Sequence, residues 1–146
     1  MARVIFDTNI FTAYKDRLVK RDFGEMALSI VVWYELTATT IDQTAWQLYE
    51  SWRVAAHQED RLLTPTMNDW RESAKLVARV RFDDKRKAHG LTPKDAHATQ
   101  LQNDALIARA AYLKGFSVVT ENVDDFQKLQ RFLKFDLVPA KDYFGL

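Results

Sequence analysis

The chain contains no cysteine. That excludes a disulfide framework and any zinc site built on thiolates. Three prolines and four glycines are spread over 146 residues. No Pro- or Gly-rich linker divides the chain, and its length suits one ordinary domain, residues 1–146. No apolar run approaches the roughly 20 residues of a membrane span. The first apolar run, Val4-Ile5-Phe6, is also too short for the core of a signal peptide. These absences lead us to expect a soluble, cytoplasmic protein with no membrane partner. What is present is a large apolar share, 47%, enough for a sizeable core and too much for a disordered segment.

The apolar runs and the breaks between them set the expected order of elements. Val4 to Phe6 and Leu28 to Val32 read as buried parallel strands. Trp33 to about Gln58 reads as one long helix, and Arg61 to Thr64 as a third strand stopped by Pro65. Thr66 with Asp69 has the form of a capping box opening a helix through Val80. Asp83 to Gly90 is polar and reads as a loop. Thr92-Pro93-Lys94-Asp95 opens a further helix to about Lys114, with Gly115 as its breaker. Phe116 to Thr120 is a strand, Asp125 to Leu133 a short helix, and Leu137-Val138 a last strand. Alternating strands and helices predict an α/β class with a mainly parallel sheet.

Four acids stand out within this order. Asp7 and Asp125 closely follow strands, and Glu35 lies in the first turn after one. In an open parallel sheet, ligands bind beyond the carboxyl ends of the strands, so the topology would bring these residues to one rim. Each has a second reading: Asp7 and Asp125 as helix caps, Glu35 as a residue favoured by the helix dipole. Asp104 is different. Its helical neighbours Leu101, Ile107, Ala108 and Ala111 are apolar, which places a carboxylate on the core-facing stripe. An ionised carboxylate is rarely buried without a partner; Arg109, five residues on, points elsewhere, which leaves a remote arginine such as Arg3 as the alternative.

Electrostatics favours a cation among these acids. Two like charges about 4 Å apart repel by roughly 4 kcal/mol at an effective dielectric near 20. Several such pairs would rival the stability of a small domain, roughly 5–15 kcal/mol. Protonation relieves part of this, and a divalent ion relieves more. Oxygen-only ligands point to magnesium or manganese.

With these motifs in hand, the chain resembles the PIN-domain ribonucleases, in particular the VapC-type toxins of toxin–antitoxin pairs. The resemblance rests on Asp7-Thr8-Asn9 after the opening strand, Val31-Val32-Trp33-Tyr34-Glu35-Leu36, Asn103-Asp104-Ala105-Leu106-Ile107-Ala108, and Thr120-Glu121-Asn122-Val123-Asp124-Asp125-Phe126. It covers essentially the whole chain, and the ordered set is more specific than any one motif. It implies a three-layer α/β/α sandwich and magnesium- or manganese-dependent hydrolysis of RNA phosphodiester bonds. Asp7, Glu35 and Asp104 match the family's main acids. The family's Thr-x-Asn-x-x-Asp-Phe form adds Asn122 and Asp125, while Asp124 is an extra acid that leaves open which carboxylate faces the metal. Asp95 is a further outer acid or simply a first-turn residue. Thr8 and Thr120 are candidate hydrogen-bond donors to phosphate. The resemblance also implies a small antitoxin partner and, commonly, a homodimer.

Charge supports a polyanionic partner. Between Arg71 and Lys94, eight basic residues stand against three acids, a local charge of +5 on a chain of net charge +1. Arg71, Lys75 and Arg79 recur every four positions, and with Arg81 they are candidates for RNA backbone contacts. A solvated helix face is the plainer reading of such a run. The tryptophans suit base stacking, although Trp46 and Trp52 follow helical core spacing. Two other functions compete. One is a phosphatase or phosphoryl-transfer domain with Asp7 as nucleophile, which lacks the second acid two residues on. The other is a non-catalytic PIN-like binding domain, against which all four acid positions are filled.

Overall fold

The computed structural model describes residues 2–87 and 95–146. β1 (Val4–Phe6) leads into α1 (Thr8–Ala13), a 3-10 turn (Lys15–Arg17) and α2 (Lys20–Glu25). β2 (Leu28–Ser29), α3 (Ile30–Thr39), α4 (Gln43–Gln58) and β3 (Leu62–Leu63) follow. Then come α5 (Met67–Lys87), α6 (Asp95–Lys114), β4 (Ser117–Thr120), α7 (Val123–Gln130), β5 (Asp136–Pro139) and α8 (Ala140–Phe144). β1, β4 and β5 form one parallel sheet with β4 central, and β2 pairs parallel with β3. A parallel bridge between Val4 and Met26 joins the two. The expected α/β architecture with a parallel sheet is therefore present.

The core is where the apolar runs predict it. Ile5, Phe6, Val118 and Val119 from the central strands are essentially inaccessible to solvent, as are Ile10, Leu101, Ile107, Phe126 and Leu129 from the flanking helices. Near-continuous apolar strands mark a sheet covered on both faces. The capping box at Thr66 forms as its sequence requires: the Thr66 N–H donates to Asp69 Oδ2 at 2.8 Å and the Asp69 N–H to Thr66 Oγ1 at 3.2 Å. Gly115 ends α6 at φ +69°, a conformation that costs glycine little.

Several boundaries differ from the sequence expectation. β2 stops at Ser29, whose Oγ accepts from the Val31 N–H at 3.2 Å, so Ile30-Val31-Val32 is helix. Burial of Val31 and Val32 outweighs their β-propensity. The expected long helix is two, α3 and α4, because Asp42 caps Thr44 at 2.9 Å and restarts the chain. α5 runs on through Asp83 to Lys87 instead of yielding to a loop; the remainder of that expected loop and the Thr92-Pro93 start lie outside the described residues. α7 begins at Val123, two residues earlier than expected, and ends at Gln130. Trp52 packs against Phe11, Phe23 and Tyr49, but Trp46 is 45% exposed and is not core.

Candidate active site

Parallel pairing of β1 with β4 sets Phe6 beside Val119, so the next residues, Asp7 just past β1 and Thr120 at the end of β4, come side by side. The Asp7 N–H continues the ladder to Val119 O at 3.0 Å. Its carboxylate does cap α1, accepting from the Thr8 N–H at Oδ1, 2.8 Å. Oδ2 faces the other way and accepts from Thr120 Oγ1 at 2.7 Å and from Asn9 Nδ2 at 3.3 Å. Asp7 is 6% exposed. Burial pushes its pKa up, the Thr120, Thr8 and Asn9 hydrogen bonds pull it down, and Asp125 pushes it up again.

Asp104 comes to the same place from the middle of α6. It too is 6% exposed, and its Oδ2 is buried with no hydrogen-bond partner. Burial, then Asp7, Asp125 and Glu35 in that order, raise its pKa to about 8. Among the described residues no cation acts on it, and Arg109 turns away to Asp69, 3.1 Å distant. Glu35 on α3 is half-buried, and its pKa is raised by burial and by Asp7. The Thr8 hydroxyl, which stops short of a well-formed hydrogen bond, and Asn103 pull Glu35 the other way.

Asp125 in the first turn of α7 closes the set. Its Oδ2 accepts from Asn122 Nδ2 at 2.8 Å, and Lys128 Nζ lies 3.6 Å from Oδ1. Asp125, not the exposed Asp124, is the acid that acts on Asp7 and Asp104. The structure thus brings Asp7, Glu35 and Asp125 within electrostatic reach of Asp104. It does not draw them into a finished ligand cage: among the described residues, no three acidic or histidine groups sit at metal-ligand spacing. What fits a cation is the chemistry of the set, namely oxygen-only donors, raised pKa values and an orphaned carboxylate oxygen.

The sequence matches no family model and no curated protein. Solved structures do match by shape. A chain of the DNA-bound VapBC from Salmonella typhimurium aligns with a TM-score of 0.53 at 21% identity, over 96% of this chain and 99% of that one. A chain of FitAB bound to the IR36 DNA fragment gives 0.52 at 17% identity, over 94% of each. One of FitAcB from Neisseria gonorrhoeae gives 0.51 at 18%, over 92% and 95%. The chain has their fold.

Within this fold, Thr120, expected as a substrate contact, takes another place. Thr120 is fully buried and its hydroxyl proton goes to Asp7, so it orients the acid instead of reaching a phosphate. Its Oγ1 also accepts from the Asn122 N–H at 2.9 Å, tying β4 to the start of α7. Arg71, Lys75 and Arg79 form the expected exposed stripe on α5. Lys75 faces Glu72 at 3.5 Å and Arg79 lies over the Phe132 ring at 5.0 Å, while Arg81 is half-buried. None of these four is among the groups that act on the acids. The side chain of Asp95 lies outside the described residues. Sequence reasoning missed Asn9, which touches Asp7 and Thr120 and accepts from the Glu121 N–H at 3.2 Å. Its position two residues past a strand-end aspartate was the available signal. Asn103, adjacent to Asp104, was missed as a neighbour of Glu35.

Proposed function

We propose that this chain is a divalent-metal-dependent endoribonuclease and the toxin of a type II toxin–antitoxin pair. The observation that carries the reading is the buried Asp104 carboxylate, one oxygen of it unpartnered, close to three further acids and, among the described residues, with no cation acting on it. Asp7, Glu35, Asp104 and Asp125, with Asn122, would hold magnesium or manganese. When bound, the ion would polarise the scissile phosphate and make water acidic enough to attack near neutral pH. Thr120 and Asn9 hold Asp7 in one orientation. Glu35, half-buried beside Asp7, would hold a second ion or orient the attacking water. The water oxygen bonds to phosphorus, the bond from phosphorus to O3′ breaks, and the proton passes to that oxygen. The products are a 5′-phosphate and a 3′-hydroxyl.

The toxin reading takes its support from the fold shared with chains of VapBC and FitAB complexes. A small antitoxin would cover the acids and neutralise them with a basic side chain. The test is single-stranded RNA incubated with the wild-type chain and with Asp7→Ala, with and without magnesium. Cleavage by the wild type alone, only with the ion and with 5′-phosphate ends, is expected. Metal-independent cleavage, equal cleavage by Asp7→Ala, or a phosphoenzyme trapped on Asp7 contradicts the reading.

A further inference from the structure

Two adjoining hollows lie where none of the four acids lines the wall. A hollow of about 460 Å³ lies between α5, the Arg109 region of α6 and the residues after α7. A second, of about 440 Å³, adjoins it and shares Arg79 and Phe132. Both fall in the ordinary range for ligand sites, roughly 300–1,000 Å³. We propose that this joined hollow is a non-catalytic contact site for single-stranded RNA, gripping a stretch of the strand beyond the acid cluster. It rests on the ribonuclease reading, which supplies the strand.

Two features point to this occupant. The first is charge: the exposed Lys75 and Arg79 line the wall beside Glu72, while Arg109 is held by Asp69. Lys75 is 56% exposed and held only by an i,i+3 pair with Glu72, which a phosphate displaces at little cost. The second is aromatic surface. Phe82 is 74% exposed at the mouth of the second hollow. The Phe132 ring already carries the Arg79 guanidinium at 5.0 Å and that of Arg131 at 5.8 Å. Aromatic faces beside planar cations are what unpaired bases stack on. A duplex, whose bases are already stacked, has no use for them.

α7 connects this hollow to the acids. Asp125 stands in its first turn, Lys128 one turn on, and Arg131 and Phe132 just past its end. Seven residues separate Asp125 from Phe132, about 10 Å along a helix axis at 1.5 Å per residue. Lys128, 35% exposed, sits between them as a cation on the path. A strand cut at the acids would therefore reach the aromatic hollow within a few nucleotides.

The test is fluorescence anisotropy of labelled single-stranded RNA on the full wild-type chain in EDTA, where no cleavage interferes. Phe82→Ala with Arg79→Gln should weaken binding of a strand of about 20 nucleotides roughly tenfold or more, the worth of one stacked base and one phosphate contact. The salt slope should fall by about one. Arg79→Gln alone, at an exposed position, should reduce the salt slope and leave the melting temperature where it was. An unaltered affinity and salt slope in the double variant overturns the proposal, as does absence of RNA binding by the wild type. Loss of binding in the double variant of a chain that cuts no RNA would leave the contact site standing and remove the nuclease reading instead.

Discussion

At the scale of single residues, Asp104 is the most exposed to test. Its ordinary pKa is 3.8 and burial among acids raises it to about 8. Between those values the native state holds a proton that the unfolded chain has released. Stability without metal therefore falls as pH rises through that window and levels off above about 8. Asp104→Asn removes the titration. Its melting temperature should change less with pH than that of the wild type, and at pH 8 it should lie higher. A gain of about 1 kcal/mol would appear as roughly 2–4 °C in a domain of this size. Thermal melts in EDTA from pH 5 to 8 check both statements, and equal slopes for the two proteins would refute them. The anomaly of Asp104 was legible in the sequence because helical spacing alone puts it among apolar neighbours. The role of Thr120 was not, since a threonine at a strand end reads equally as a donor to substrate or to a neighbouring acid. Only the register of β4 beside β1 makes Asp7 that neighbour.

At the scale of elements, the site depends on where α1 is held. The C-terminal helix α8 holds it. Phe144 stacks on Tyr14 at 5.1 Å, and Tyr143 meets Phe6 edge-on at 5.4 Å. The Tyr143 hydroxyl donates to Asp22 Oδ1 at 2.9 Å, and Asp22 is 3% exposed. Burial and Asp22 hold the Tyr143 phenol well above its ordinary value. Tyr143→Phe deletes this donor and leaves a buried carboxylate oxygen less satisfied, at a cost of about 1–3 kcal/mol. Urea unfolding should show the loss in midpoint, with an unchanged slope; an unshifted midpoint would mean that α8 does not clamp the fold. None of this was visible in advance, because the contacts join residues more than a hundred positions apart. Two of the errors at the element scale share one cause. Ile30-Val31-Val32 and Asp83 to Lys87 were assigned from local composition, and in both places packing or helix continuation prevailed over local preference. Elements marked by their own chemistry, such as the Thr66–Asp69 box and the Gly115 stop, were placed correctly.

At the scale of the whole molecule, the order of strands carries the functional reading. Parallel pairing puts the ends of β1 and β4 together, and α3, α6 and α7 then deliver Glu35, Asp104 and Asp125 to that end. The sheet class was legible from alternating apolar runs, and the fold shared with VapBC and FitAB chains agrees with it. Convergence of four acids from four parts of the chain has a cost that the fold alone leaves uncompensated, as the partnerless Asp104 oxygen shows. Among the described residues no helix is long and apolar enough to cross a membrane. The most direct measurement is a calorimetric titration of the metal-free chain with manganese near pH 7, in two buffers of different ionisation enthalpy. We predict saturable binding with release of about one proton, because the ion replaces the one on Asp104, and loss of that binding in Asp104→Asn. Absence of saturable binding, or binding of equal strength and proton release in the variant, would contradict the account.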